Sequence, residues 1–224
     1  MVSESTSQAL RAGPPIRARL RSALAAVPVA RCAAVSAALA PVAMIGAWLV
    51  AEALQPRSYS PVGSSISGLA GLAATDRWIV TYALLLVGLC YLTIAAGLPG
   101  LRVPARVVLA IAGLSSVGIA ASPEPVGGTS PQHLAWTSLG AAAIAVWPAF
   151  TASRAPSAPL ILRPRAVAAV TAVFALLLAW LIVETQHGTD LGLAERLVTG
   201  VQVTWPFVVA RALRRRPVGV ASVA

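Results

Sequence analysis

Apolar residues dominate the chain in six long runs, which short polar or proline-rich connections separate. Each run is close to the roughly 20 residues that an α-helix needs to cross the hydrocarbon core of a bilayer. A helix satisfies its own backbone hydrogen bonds in lipid, so apolar runs of this length predict membrane-spanning helices. The pattern therefore predicts an all-α, polytopic membrane protein, a bundle of six transmembrane helices at residues 32–54, 78–98, 104–122, 132–152, 166–186 and 193–213.

The longest polar connection, residues 55–77, contains a helical pattern of its own. Ser60 and Pro61 suit a helix N-cap and a first helical position. We expect a short extracytoplasmic helix at the membrane interface, between the first and second spans, which can serve simply as a lid or brace. The apolar residues that recur at helical spacing are Val62, Ile66, Leu69 and Ala73.

The distribution of charge indicates the orientation of this bundle. Only 11% of the residues are charged, and all seventeen basic residues are arginines. Most of the arginines flank the ends of spans on one side, which the positive-inside rule assigns to the cytoplasm together with both termini. The opposite side holds six of the seven acids, namely Glu52, Asp76, Glu124, Glu184, Asp190 and Glu195.

The same features divide the chain into three parts. Residues 1–31 are expected to form a partly disordered, cytoplasmic Arg-rich arm, residues 32–213 the six-helix transmembrane domain, and residues 214–224 a cytoplasmic basic tail. Arginine without lysine, together with abundant alanine, suggests a GC-rich bacterial genome and hence the inner (plasma) membrane. The net charge of +10 does not indicate nucleic-acid binding, because the arginines flank apolar spans. The lipid bilayer is the expected partner.

Two polar stripes interrupt the apolar spans, one in span four and one in span six. Residues in each stripe follow i, i+4, i+7 spacing and therefore share one helix face. Polar groups are costly against lipid, so both stripes should face the bundle interior, where they can form a cleft open to the outer leaflet. With a neighbouring arginine, the candidate ligand-binding residues are His133, Thr137, Glu195, Arg196, Thr199 and Gln202.

Each candidate also has a purely structural explanation. Ser130 and Pro131 suit an N-cap and a first helical position, so His133 would lie in a first turn near the lipid headgroups. Glu195 near a helix N-terminus gains from the helix macrodipole, while Arg196 can snorkel or pair locally.

Standard signatures of catalytic and cofactor sites do not occur in the sequence. It contains no Walker A loop, no dinucleotide-binding glycine pattern, no His-Glu-x-x-His and no Gly-x-Ser-x-Gly. Cys32 and Cys90 have no second cysteine or histidine at ligand spacing. We therefore expect no cofactor and no metal site, and we do not expect ATP to drive this protein.

Three segments resemble motifs of a known family. They are Tyr59–Leu69 (YSPVGSSISGL), Gly118–Pro123 (GIAASP) followed by His133-Leu-Ala, and Gly192-Leu-Ala-Glu195-Arg196. Together they resemble domain-of-unknown-function family 998, whose members are six-helix membrane proteins of bacteria and archaea. The resemblance covers roughly residues 35–213 and implies a six-span fold with no established activity.

The resemblance also singles out particular residues. Ser67, His133, Glu195 and Arg196 match polar motif positions of that family. The family often has an acidic residue after the serine, where this chain has Gly68. Any mechanism that needs a carboxylate from that position is therefore in doubt.

Three classes of function fit these observations. The first is a multi-pass membrane protein that binds a small molecule or lipid in the outer polar cleft, with a role in transport. The second is a membrane-embedded enzyme that modifies a lipid or prenyl substrate, with Ser67 as nucleophile, His133 as general base and Glu195 as orienting group or acid. The third is a structural or regulatory partner protein without a ligand. The small set of catalytic groups argues against the enzyme.

Overall fold

The structure, a computed structural model, describes residues 16–214, with side chains from residue 30. Over this range the protein is all-α, as predicted, and has no strand. Two 3-10 turns, Trp147–Thr151 and Leu160–Leu162, lie between the fifth and sixth helices. The helices are α1 (Ile16–Ala53), α2 (Ile66–Leu69), α3 (Trp78–Gly97), α4 (Val103–Ala121), α5 (Pro131–Val146), α6 (Pro164–His187) and α7 (Leu191–Arg214).

Five helical segments are long and apolar enough to cross a membrane. Their apolar side chains continue onto the outside of the bundle, as a lipid environment requires. The protein is therefore membrane-embedded, with several apolar helices. The five segments are Ala30–Ala53, Trp78–Gly97, Val103–Ala121, Pro131–Thr151 and Pro164–His187.

Helix α7 differs from these five in composition. It has 24 residues, as α6 does, but it carries Glu195, Arg196, Gln202 and two arginines in its last turn. It does not belong to the five apolar segments, because these polar residues lower its mean hydropathy. A crossing by α7, and with it the count of six, stays a prediction.

Helix α1 begins well before the predicted first span. It runs from Ile16, whereas the apolar pattern indicated a start at residue 32. Residues 16–31 are rich in alanine, leucine and arginine, which favour helix and allow α1 to extend beyond its apolar part. The remainder of the predicted arm, residues 1–15, and residues 215–224 of the predicted tail lie outside the described part of the chain.

The connection between α1 and α3 contains a shorter helix than its pattern predicted. Ser60 caps a tight turn instead, since its Oγ accepts from the Gly63 N–H at 3.3 Å. Helix α2 begins only at Ile66, with Ser65 as its N-cap accepting from the Gly68 N–H at 2.9 Å. Ile66 and Leu69 are buried, so α2 packs on the bundle. Its place at the membrane interface stays a prediction.

The helices alternate in direction, so their connections gather at two ends. At the acidic end lie residues 54–77, 122–130 and 188–190, and the described acids are all in or beside them. Backbone bonds join these connections, from Leu72 N–H to Glu124 O at 2.8 Å and from Leu193 N–H to Val62 O at 2.9 Å. The basic end has residues 98–102 and 152–163, with Arg102, Arg106, Arg154, Arg163, Arg165, Arg211 and Arg214 in or near them.

Helices α3 and α4 pack closely through a pair of glycines. A Cβ at Gly88 would lie 2.7 Å from Gly113 O, and one at Gly113 would lie 2.9 Å from Gly88 O. Ser116 Oγ donates to Leu84 O across the same contact at 2.7 Å. Small residues allow this approach, which matters in lipid because helix association there depends on van der Waals packing and interhelical hydrogen bonds.

We predict that Gly88→Ala destabilises the bundle by about 1–3 kcal/mol, the usual effect of overpacking. Its new Cβ would meet Gly113 O and Val117 Cγ2, both at 2.7 Å. Gly46→Ala in α1 is the matched control, because nothing lies within 4 Å of a Cβ there. Thermal unfolding of the detergent-purified variants checks this, and equal melting temperatures for the two variants would contradict it.

Candidate functional site

The first turn of α7 holds the connection between α1 and α2 against the bundle. Gly192 packs directly on the carbonyl groups of Pro61 and Ser64, where any Cβ would clash. Arg196 Nη1 donates to Ser64 O at 2.9 Å and to Gly192 O at 2.8 Å. We call this arrangement of α7 on residues 59–67 the clamp. It explains why glycine, glutamate and arginine occur together at the start of α7.

Arg196 also joins the clamp to α1. Its Nε donates to Glu52 Oε1 at 2.6 Å, and its Nη2 donates to the Tyr59 hydroxyl at 2.6 Å. Burial raises the pKa of the Tyr59 phenol, although the Arg196 guanidinium opposes this. The Arg196 guanidinium thus donates hydrogen bonds both within the clamp and to Glu52 on α1.

Glu195 faces the other side of the clamp and binds the start of α2. Its Oε2 accepts from the Ile66 N–H at 2.6 Å. Its Oε1 accepts from the Ser67 N–H at 3.3 Å and from Ser67 Oγ at 2.9 Å. Three donors therefore fix the orientation of the carboxylate.

A cavity of about 150 Å³ lies below Glu195, inside the bundle. Gln202 is 4% exposed, and its Nε2 has no hydrogen-bond partner among the described residues. The remaining wall is mainly apolar and comes from α1 and α3 to α7. The polar residues that line the cavity are Ser67, Ser116, Thr137, Glu195, Thr199 and Gln202.

His133 does not line this cavity. Ser130 Oγ accepts from its N–H at 3.1 Å and Pro131 begins α5, as the structural explanation proposed. The ring Nδ1 lies 2.7 Å from Ser122 O, and Nε2 lies 3.4 Å from Glu124 Oε1. A carbonyl oxygen can only accept a hydrogen bond, so Nδ1 carries a hydrogen. A second proton, shared between Nε2 and the Glu124 carboxylate, would form a hydrogen bond between those two groups.

Glu124 is the site residue that the sequence pattern missed. Its Oε2 would lie 3.9 Å from a Cβ at Gly68, so a carboxylate reaches the α2 segment from the connection between α4 and α5. Burial raises the pKa of Glu124; His133 opposes this rise and Glu195 adds to it. The only sequence signal was its position among the outer acids, directly after the Gly118–Pro123 motif.

The structure therefore separates the predicted site residues into two groups. Ser67, Thr137, Glu195, Thr199 and Gln202 converge on the cavity, whereas His133 and Arg196 lie beside it. Within the described chain no hydrogen bond joins His133 to Ser67, so the predicted pairing of base and nucleophile lacks this contact. Whether any of these residues binds a ligand or acts in catalysis stays a prediction.

Glu184, His187 and Asp190, three further polar residues of the acidic end, lie at the turn between α6 and α7. Glu184 Oε2 accepts from the Asp190 N–H at 3.0 Å, and Glu184 Oε1 accepts from Trp180 Nε1 at 3.1 Å. His187 is exposed. Among residues with described side chains, no three His, Cys, Asp or Glu residues are grouped to hold a metal ion.

Comparison with known proteins agrees with the resemblance seen in the motifs. The family model described as "Protein of unknown function (DUF998)" matches residues 18–212. The chain belongs to the DUF998 family. The matched range contains every residue of the clamp and the cavity, so both lie within the DUF998 domain. No curated protein and no solved structure matches the chain.

We predict that Gly192→Ala loosens the clamp. The added Cβ would displace the Pro61 and Ser64 carbonyl groups and weaken the bonds from Ile66 and Ser67 to Glu195. Hydrogen–deuterium exchange should then be faster at these two amides. Gly128→Ala, also in a connection at the acidic end but with nothing within 4 Å of a Cβ there, should leave the exchange unchanged. Equal protection in both variants would contradict the clamp.

We predict that Glu124→Gln becomes more stable relative to the wild type as the pH rises from about 4 to about 8. Burial raises the pKa of Glu124 in the folded protein, so ionisation at higher pH costs the wild type stability that the neutral glutamine retains. Melting temperatures of both proteins across this range check the prediction. A difference that does not change with pH would contradict it.

Proposed function

We propose that this DUF998 protein crosses the bacterial inner membrane six times and binds a small molecule or lipid in the cavity, from the outer leaflet. The arginines of the basic end support a cytoplasmic location for that end and for both termini, because short cytoplasmic connections are rich in basic residues. The acidic end, with the clamp and α2, then faces outward at the membrane interface.

The packing of α7 supports its role as the sixth span. Its outward-facing residues include Leu193, Leu197 and Val201, an apolar stripe at four-residue spacing suited to lipid. Glu195 and Gln202 face the clamp and the cavity instead. Polar residues in a membrane helix typically face the bundle interior in this way, so the low hydropathy of α7 is compatible with a crossing.

Ligand binding rests chiefly on one observation: the buried amide nitrogen of Gln202, in the cavity wall, has no hydrogen-bond partner among the described residues. A buried polar group without a partner costs about 1–3 kcal/mol, and native proteins rarely contain one without a reason. A ligand in the cavity would supply that partner. Ser67, Thr137 and Thr199 offer further hydroxyl groups from three directions around the same space.

The size and lining of the cavity indicate the kind of molecule. A cavity of about 150 Å³ accommodates a ligand part about as large as benzene. Its walls are mainly apolar, with a few polar groups at defined positions, as in most small-molecule sites. An amphipathic molecule, or one end of a lipid, suits this combination. Such a site is also what a role in transport would require.

A second candidate function has one observation in its favour. Ser67 Oγ donates to Glu195 Oε1 at 2.9 Å beside the cavity, so Glu195 could take the proton of a serine nucleophile. A membrane-embedded lipid- or prenyl-modifying enzyme would use this pair. In that reaction the hydroxyl attacks the substrate and Glu195 returns the proton to the leaving group.

We predict that Ala141→Phe, which fills the cavity from α5, abolishes retention of a bound molecule. Ala142→Phe is the matched control, because Ala142 is the next residue but is exposed on the outside of α5. Native mass spectrometry of the detergent-purified proteins should find the same molecule on the wild type and on Ala142→Phe. Equal retention by Ala141→Phe would place the molecule outside the cavity.

The same measurement separates the remaining alternatives. If the wild type converts the retained molecule to a product and Ser67→Ala does so more slowly, the result would favour the enzyme. If the wild type retains nothing, the binding proposal is wrong, and a structural or regulatory partner protein becomes the better explanation of the polar cluster.

A further inference from the structure

We propose that the cavity binds an organic amine as its ammonium ion, with the charged group at Glu195 and the apolar body deeper between the helices. This inference rests on the proposed function, since it names the chemical class of the molecule in that same cavity. Four features support it: the charge balance of the acidic end, the free capacity of Glu195, the walls of the cavity and the position of Gln202.

Of the three carboxylates at the clamp and the cavity, Glu52, Glu124 and Glu195, only Glu195 has no basic partner among the described residues. Glu52 is paired with Arg196 at 2.6 Å, and Glu124 lies 3.4 Å from the His133 ring. Glu195 accepts only from neutral donors, the Ile66 and Ser67 N–H groups and the Ser67 hydroxyl. The Arg196 guanidinium beside it donates to the Glu52, Tyr59, Ser64 and Gly192 oxygens.

Glu195 also has room for one more donor. An ionised carboxylate has about four acceptor positions. Two donors occupy Oε1, whereas the Ile66 N–H is the one donor to Oε2 among the described residues. Because Glu195 lines the cavity, an ammonium ion there can use the remaining position. Such an ionic hydrogen bond is stronger than one between neutral groups.

The apolar walls and the Glu195 carboxylate together disfavour an anionic or a neutral ligand. Apolar side chains such as Met44, Leu84, Val87 and Val203 surround the space below the carboxylate. In such an environment an unpaired charge is costly, so a ligand cation stabilises Glu195 while a ligand anion would be repelled by it. A neutral ligand would leave Glu195 without a countercharge.

The position of Gln202 relative to Glu195 indicates the length of the ligand. It lies seven residues after Glu195 on α7, which is about 10 Å further along the helix axis. Thr199 lies between them and also lines the cavity. A second polar group on the ligand, at the far end of its apolar body, would pair with the Gln202 amide. The ammonium group can belong to a free amine or to the headgroup of an aminophospholipid.

The test compares three probes of similar shape but different charge: benzylamine, benzyl alcohol and benzoate. Isothermal titration of the full-length protein in an uncharged maltoside detergent, at pH 7.5, measures each affinity. Benzylamine should bind at least about tenfold more tightly than the other two, as expected for one ionic hydrogen bond. Glu195→Gln should remove this preference, whereas Glu184→Gln, a carboxylate outside the cavity, should retain it.

Two further arms identify the source of the ammonium group. Added phosphatidylethanolamine should compete with benzylamine if an aminophospholipid headgroup occupies the site, while phosphatidylglycerol should not. If neither lipid competes, the ammonium group comes from a free amine. Ala141→Phe should abolish benzylamine binding in every arm, which shows that the probe occupies the cavity.

The possible failures are distinguishable. If benzyl alcohol or benzoate binds the wild type as tightly as benzylamine, and Ala141→Phe blocks it, the cavity binds ligands but the amine inference is wrong. If none of the probes binds, the amine inference is also wrong, and native mass spectrometry of the wild type then decides the proposed function separately. The ranking of the probes on the wild type is decisive even if Glu195→Gln does not fold.

Discussion

The contact between the first turn of α7 and the connection that leads into α2 organises the acidic end of this protein. Glu195 binds the backbone of Ile66 and Ser67, and Arg196 binds Ser64 and Glu52. These bonds hold Ile66 and Ser67 of α2 at the wall of the cavity. Two adjacent side chains of opposite charge thus hold an irregular segment in place and satisfy backbone groups that no helix of its own satisfies.

The polar groups of the clamp largely satisfy one another, in contrast to Gln202 in the wall of the cavity. Arg196, Tyr59 and Glu52 form a connected set of short hydrogen bonds. Gln202, deeper in the same bundle, has an amide nitrogen without a partner in the described chain. Three other buried polar atoms without a partner in the described chain, Ser115 Oγ, His133 Nε2 and Trp205 Nε1, belong to residues that do not line the cavity. Gln202 is therefore the one that a molecule in the cavity can reach.

Much of the fold follows from local patterns, and so does part of the site. Uninterrupted apolar runs locate the long helices, because a helix that crosses a membrane needs about 20 consecutive, mainly apolar residues. The i, i+4, i+7 stripe of Glu195, Thr199 and Gln202 correctly indicated one inward face, since helix geometry alone decides it. The resemblance to DUF998 in three short motifs is confirmed over residues 18–212.

Other features depend on which connections meet, and local patterns do not contain that information. Thr137 lines the cavity, yet His133 on the same stripe points to Ser122 and Glu124, because the connection before α5 folds back over its first turn. Glu124 reaches Gly68 only through the packing of two separate connections. Helix α2 begins at Ile66 and not at Pro61 as predicted, because Ser60 caps a turn instead of the helix.

The clamp also sets an order of assembly. The bond between Ile66 and Glu195 joins residues 129 positions apart, and α7 is the last helix of the described chain to be synthesised. Until α7 is present, the N–H groups of Ile66 and Ser67 cannot bind the Glu195 carboxylate, and α2 is not held at the cavity wall. The site therefore forms only once α7 has been synthesised, so a chain that is cut short before α7 contains only part of the cavity wall and not the site.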